Sequence, residues 1–207
     1  ADMNAEHLQV STLEQIAMLL DGLTMNRELL LRCLLPLLRR THTSGQAARI
    51  LGEQKVLEAA PHIEHALAKS SRISERLAFL EALAQLGQQE RAMRTLRSML
   101  IHGTTETRLQ ICDHLARIAT PEHNDALFDM MNAVEGDAKV RLAGLLYGMG
   151  DARAFLALRD TLADLGPASP TCRVAAALQT IESLRSQRFV PMLRDYATRE
   201  TRPVSYT

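Results

Sequence analysis

Tryptophan is absent, and four Phe with three Tyr leave aromatic side chains at 3% of 207 residues. That scarcity argues against a β-sandwich, whose strands draw on aromatic and β-branched residues, and against the stacking platforms on which single-stranded nucleic acid is held. Net charge is missing too. The 24 Lys+Arg balance 24 Asp+Glu, so no global field draws the chain onto nucleic acid or an acidic membrane. Cysteines are few: Cys33, Cys112 and Cys172 are odd in number, far apart and set among apolar residues, which argues against a disulfide framework and predicts reduced core thiols in a cytoplasmic protein. No run approaches the ~18 apolar residues that span a bilayer, and no signal peptide opens the chain. Because the first residue is Ala1 rather than Met, the reading leaves room for N-terminal repeats or an anchoring segment having been removed. Lysine is scarce as well, with Lys55, Lys69 and Lys139 the only three among 24 basic residues; this Arg excess reads as a GC-rich, bacterial coding bias.

Leu, Ala and Arg dominate, arranged as a repeat. The stretch Arg76-Leu77-Ala78-Phe79-Leu80 returns in altered form at Arg108, Arg141 and Arg173, spacings of 32, 33 and 32 residues. A period in this range, filled with helical pattern, predicts stacked helical hairpins rather than one globular core. Aligned on the arginine, offsets one, four and eight carry Leu77, Leu109, Leu142 and Val174; Leu80, Cys112, Leu145 and Ala177; Ala84, Ala116, Met149 and Ile181, which predicts one buried stripe per first helix. Second helices predict stripes of their own: Met93, Leu96 and Leu100; Leu127, Met130, Met131 and Val134; Phe155, Leu158, Leu162 and Leu165; Val190, Leu193 and Ala197. A single hairpin buries too little to stand alone, so neighbours share faces.

In chain order, Ser11 to Glu14 reads as a capping box opening a helix whose apolar face runs Leu13, Ile16, Leu20 and Leu23. The next stretch, Leu29 to Leu38, is apolar nearly all round. That pattern predicts a helix covered on every side, by neighbouring helices, by a missing N-terminal segment or by another chain, and Pro36 predicts a kink or division within it. Thr120-Pro121 and Ser169-Pro170 each place a capping hydroxyl before a proline; Gly166-Pro167 ends a helix. Residues 200–207 read as a flexible C-terminal tail.

Ala47-Ala48-Arg49-Ile50-Leu51-Gly52, a short turn, and Ala59-Ala60-Pro61-His62-Ile63 together resemble a HEAT repeat, in particular the short bacterial subclass named after phycobilisome lyases. Asp137-Ala138-Lys139-Val140-Arg141 is similar to the acidic-to-Arg start of such a unit, and Gly150-Asp151 to its turn. Ala119 stands where a turn glycine would fall, and Ser183-Leu184 where Leu-Gly would. The resemblance covers most of residues 8–199. It implies an all-α, right-handed α-solenoid of about five or six hairpins, one domain over residues 1–199, with the recurring arginines tying one unit to the next through carbonyls and acids.

Candidate sites were weighed on residue chemistry. Glu58, His62 and His65 share one helix face, yet three ligands on one helix need a fourth donor from elsewhere, so no metal and no cofactor is expected. Di-iron hydroxylases built on HEAT repeats carry His-Glu pairs, and this chain has no such dipeptide. Arg91, Arg94 and Arg97 form a basic row on one second helix; Glu122, Asp125 and Asp129 form an acidic row on the next. Paired rows of this kind suit a charge-matched groove for a protein partner. Leu30, Leu34 and Leu37 offer an end-on contact, through which the chain would bind a partner or form a homodimer. The expected function is a non-catalytic scaffold or adaptor. The alternatives are a phycobilisome-lyase-like enzyme subunit, testable by a visible-band shift on mixing with bilins, and a HEAT-like DNA repair protein, which the balanced charge disfavours.

Overall fold

The computed structural model describes residues 27–40, 42–164 and 171–200. Expectations at Ser11–Leu23, Gly166-Pro167, Ser169-Pro170 and 201–207 lie outside the described residues, as do the side chains of Leu162, Cys172, Arg173 and Val174. Every regular element among the described residues is helical: α1 (Arg27–Leu34), α2 (Ser44–Glu53), α3 (Ala60–Lys69), α4 (Ile73–Leu83), α5 (Gln89–His102), α6 (Thr105–Ile118), α7 (Asn124–Asn132), α8 (Asp137–Gly148), α9 (Ala152–Asp164), α10 (Thr171–Leu184) and α11 (Val190–Glu200). The all-α expectation is met. None of these helices is long and apolar enough to cross a membrane. Two compact units divide the chain, Ala1–Ser98 and Met99–Thr207.

In the first unit α2 and α3 pack against α4, with α1 and the 3₁₀ turn Leu35–Arg39 laid over α2. Pro36 enters at the start of that turn, so the apolar stretch is divided there, as its missing N–H requires. The core joins Leu30, Leu34 and Leu38 to Ile50, Leu51, Ile63 and Phe79. The stretch is therefore not covered on every side: Leu30, Leu34 and Leu38 face the interior, whereas Leu29, at 47%, and Arg32, Cys33 and Pro36 are exposed, as on an ordinary one-sided helix. Cys33 is exposed, contrary to the core-thiol expectation, because it sits on the helix face turned away from Leu30 and Leu34.

In the second unit α6, α8 and α10 lie side by side, α7 and α9 pack on α8, and α11 packs on α9. The second-helix stripes are buried at Leu127, Met130, Met131, Val134 and Leu158, and in the first unit at Met93 and Leu96. Two stripe expectations are corrected. At offset eight Ala84 and Met149 are half-buried and Ala116 is exposed, since the inward face of α6 runs through Ile111, Cys112, Leu115 and Ile118 instead. In the last hairpin Val190 is 40% exposed, Ala197 is exposed and Leu193 is half-buried. Its neighbour Phe189 takes the interior, 5.3 Å from both Tyr147 and Phe155 between ring centroids.

The hairpin turns share one device. Lys55, Gly87, Gly150 and Arg185 adopt left-handed backbone, with φ of 51, 90, 88 and 46°. After α2, Val56 N–H donates to Leu51 O and Lys55 N–H to Gly52 O; after α8, Asp151 N–H donates to Leu146 O and Gly150 N–H to Tyr147 O. These pairs close the last-turn carbonyls in the same Schellman pattern. The α6–α7 connection departs from it. Ala119 is extended there, and the Thr120 N–H donates to Nδ1 of buried His123 at 3.3 Å, with Pro121 at the first helical position.

Candidate functional site

Three of the recurring arginines, Arg76, Arg108 and Arg141, are committed within the fold. Arg76 donates to Ser70 O at the end of α3 (3.2 Å), and Arg108 donates through Nε to Leu100 O (3.0 Å) and through Nη2 to Ile101 O (2.9 Å) at the end of α5. Helix-terminal carbonyls have no partner along their own helix and carry partial negative charge, which is why a cation serves there. Arg141 instead reaches Asp113 on α6, at 2.6 Å.

Further acid–arginine ties lie 27 or 28 residues apart. Glu64 on α3 accepts from Gln88 Nε2 (2.6 Å) and pairs with Arg91 on α5 at 2.8 Å. The hydrogen bond from Gln88, followed by Arg91, holds the Glu64 carboxyl below its ordinary value. Asp125 on α7 pairs with Arg153 on α9 at 2.8 Å. Arg153 also grips Asp151 at 2.7 Å and lies 4.4 Å over the Phe128 ring centroid. Asp151 caps α9, accepting the Arg153 backbone N–H at 2.9 Å. An acid followed about 28 positions later by Arg was a readable signal that periodicity of apolar residues did not use.

These ties change the standing of the predicted rows. Arg91 and Asp125 are engaged inside the chain, whereas Arg94, Arg97, Glu122 and Asp129 are exposed. The guanidinium Nε of Arg94 donates only to Glu90 O of its own helix, at 3.4 Å. The basic row belongs to the first unit and the acidic row to the second. Leu30 and Leu34 are 3% and 2% exposed and belong to the core; Leu37 is half-buried.

The sequence reading missed a cleft in the first unit, of about 790 Å³. One wall is the end of the 3₁₀ turn, carrying Arg39 and Arg40; the other is a face of α3, where His62, His65 and Lys69 follow at i, i+3 and i+7. Leu35, Leu38 and Phe79 give it an apolar floor. Ser44, the first residue of α2, borders the cleft and is 2% exposed, and its hydroxyl has no hydrogen-bond partner. Glu75 also lines it, with Oε2 taken by the Ser70 hydroxyl at 2.8 Å. Among the described residues no three or more His, Cys, Asp or Glu gather closely enough to hold a metal, so Glu58, His62 and His65 are not brought together as ligands. A second cleft, of about 550 Å³, runs over α6, α8 and α10 beside Cys112, Arg141 and Thr180. Burial in apolar surroundings pushes the Cys112 thiol up to about 12.

Comparison of the chain with protein-family models, curated proteins and solved structures finds no match.

Proposed function

We propose that the chain is a HEAT-like α-solenoid that works as a non-catalytic scaffold, holding a protein partner against the exposed charge of its second helices. Support for the repeat comes from packing within each unit. First helices lie beside first helices, as α2 beside α4 and α8 between α6 and α10. Left-handed turns recur at matching places, and acid–arginine ties join second helix to second helix. In such a stack each hairpin leans on its neighbours, so the exposed residues are held rigidly and offered at a fixed spacing.

The observation that carries the binding reading is the exposed pair Arg94 and Arg97 on α5, a helix anchored from behind by Met93, Leu96 and Leu100 at 3% exposure or less. Preordered guanidinium groups lose little freedom on binding and pair well with carboxylates. The test is affinity capture from the native host, comparing the wild-type chain with an Arg94→Glu/Arg97→Glu variant of unchanged helicity. A partner retained by the wild type and lost by the variant is the expected result. Equal recovery of every captured protein by both chains would remove the binding reading.

A further inference from the structure

We infer that the cleft between the 3₁₀ turn Leu35–Arg39 and α3 is a binding site for a small amphipathic anion, an oxygen-rich acidic head on an apolar body. The inference stands apart from the scaffold reading, since it uses none of the same residues. At about 790 Å³ the cleft lies in the range of small-molecule sites. Its charge is one-sided. Arg39, Arg40 and Lys69 line it with no ion pair to any described residue, against a single carboxylate, Glu75, whose Oε2 is held by Ser70 and whose Oε1 is buried without a hydrogen bond, 3.8 Å from Arg72. Three cations against one carboxylate around one concavity favour a negative ligand, and guanidinium groups suit the planar oxygens of a carboxylate or phosphate.

Ser44 supplies an independent pointer. Its hydroxyl is buried against the cleft with neither donor nor acceptor used, and a hydroxyl so placed carries a desolvation penalty until something bonds to it. Rotation of the Ser44 side chain toward the cleft would let an anionic oxygen there relieve that penalty. The rest of the lining decides what else the ligand must have. Leu35, Leu38 and Phe79 form a greasy floor, which a bare inorganic ion would leave wet. His62 and His65 on the α3 wall add ring nitrogens that can donate to the head group.

The experiment is calorimetric titration of the full chain with four probes: octyl phosphate, octanoate, inorganic phosphate and octyltrimethylammonium. One octyl anion bound per chain is expected, with inorganic phosphate weaker by at least about tenfold and the cation not bound. Octyl phosphate ahead of octanoate assigns a phosphoester head; the reverse order assigns a carboxylate. Arg39→Gln/Arg40→Gln should weaken binding by about tenfold or more, and Lys69→Gln, a single change on an exposed residue, gives a second reading if the double variant folds poorly. Ser44→Ala is the sharper case: binding should fall several-fold while the thermal midpoint of the free chain stays level or rises, because an unpaired hydroxyl has been deleted. The inference is overturned if neither octyl anion binds, if the cation binds as well as the anions, or if Lys69→Gln and Ser44→Ala leave the affinity unchanged.

Discussion

Replacing Gly52 by Ala tests how closely two repeats approach. In an isolated helix the change is favourable by about 1 kcal/mol, since Ala is the better helix former. Here Gly52 sits in α2 facing α4, and an added Cβ would lie 2.9 Å from the Cα of Ala82 and 3.1 Å from its Cβ, besides striking the Gln85 side-chain oxygen. Gln85 is exposed and can swing aside. Ala82, 0% exposed in the last turn of α4, cannot move without its helix. Relief requires α2 and α4 to part by several tenths of an ångström, and a gap of about 0.5–1 Å forfeits a quarter to a half of each contact's attraction. Overpacking of this kind costs about 1–3 kcal/mol. Set against the propensity gain, the expected net loss is up to about 2 kcal/mol, read by urea unfolding and by faster amide hydrogen exchange in α2 and α4. Gly144→Ala is the control. Its added Cβ meets only the Cγ2 methyl of Thr180, with the next atom at 3.8 Å, so rotation of one side chain can absorb it and the net change should stay within about 1 kcal/mol of zero. A Gly52→Ala chain more stable than the wild type by about 1 kcal/mol, the full propensity gain, would refute the close approach of these two helices.

Lys55→Gly should raise stability by about 0.5–1 kcal/mol in urea unfolding, because the left-handed turn at φ 51° costs a non-glycine residue more than the added unfolded-state freedom of glycine takes back. Arg153→Ala should lower stability at neutral pH by leaving the Asp151 carboxylate, 8% exposed, without its guanidinium partner. Hydrogen bonding from Arg153 depresses the Asp151 carboxyl below its ordinary value of 3.8, so the stabilisation is complete above that value and is lost as the pH falls through the depressed one. Melting curves of the two chains should therefore separate at pH 7 and converge in strong acid. A brief iodoacetamide pulse at pH 8, read by peptide mapping, should label exposed Cys33 and spare Cys112, whose buried thiol ionises only near 12; equal labelling would contradict the burial of Cys112.

Much of the helical order was legible because its signals are local. Pro36, the Leu51-Gly52 and Gly150-Asp151 pairs and the apolar spacing of Met93, Leu96 and Leu100 each constrain the backbone within a turn or two of themselves, and the helices and turns fall where those signals place them. The two left-handed turns without glycine, at Lys55 and Arg185, were not legible, since there the packing of the flanking helices overrides a backbone preference of only about 1–2 kcal/mol. The offset-eight stripe failed for a related reason. The arc that a helix turns inward depends on its neighbours, and α6 turns Ile111, Cys112, Leu115 and Ile118 inward, which carries Ala116 to the outside. The cleft was hidden more deeply. Arg39 and Arg40 follow the apolar stretch, His62 and His65 share a helix face with Glu58, and Ser44 precedes Ala47; nothing in one segment points to the others. Only tertiary packing brings the three segments around one concavity and strands the Ser44 hydroxyl at its edge. A periodic pattern reports what neighbouring hairpins have in common, whereas a ligand site is made from what one hairpin does differently. The first unit's 3₁₀ break at Pro36 is such a difference, for it ends the apolar helix early and sets Arg39 and Arg40 opposite α3.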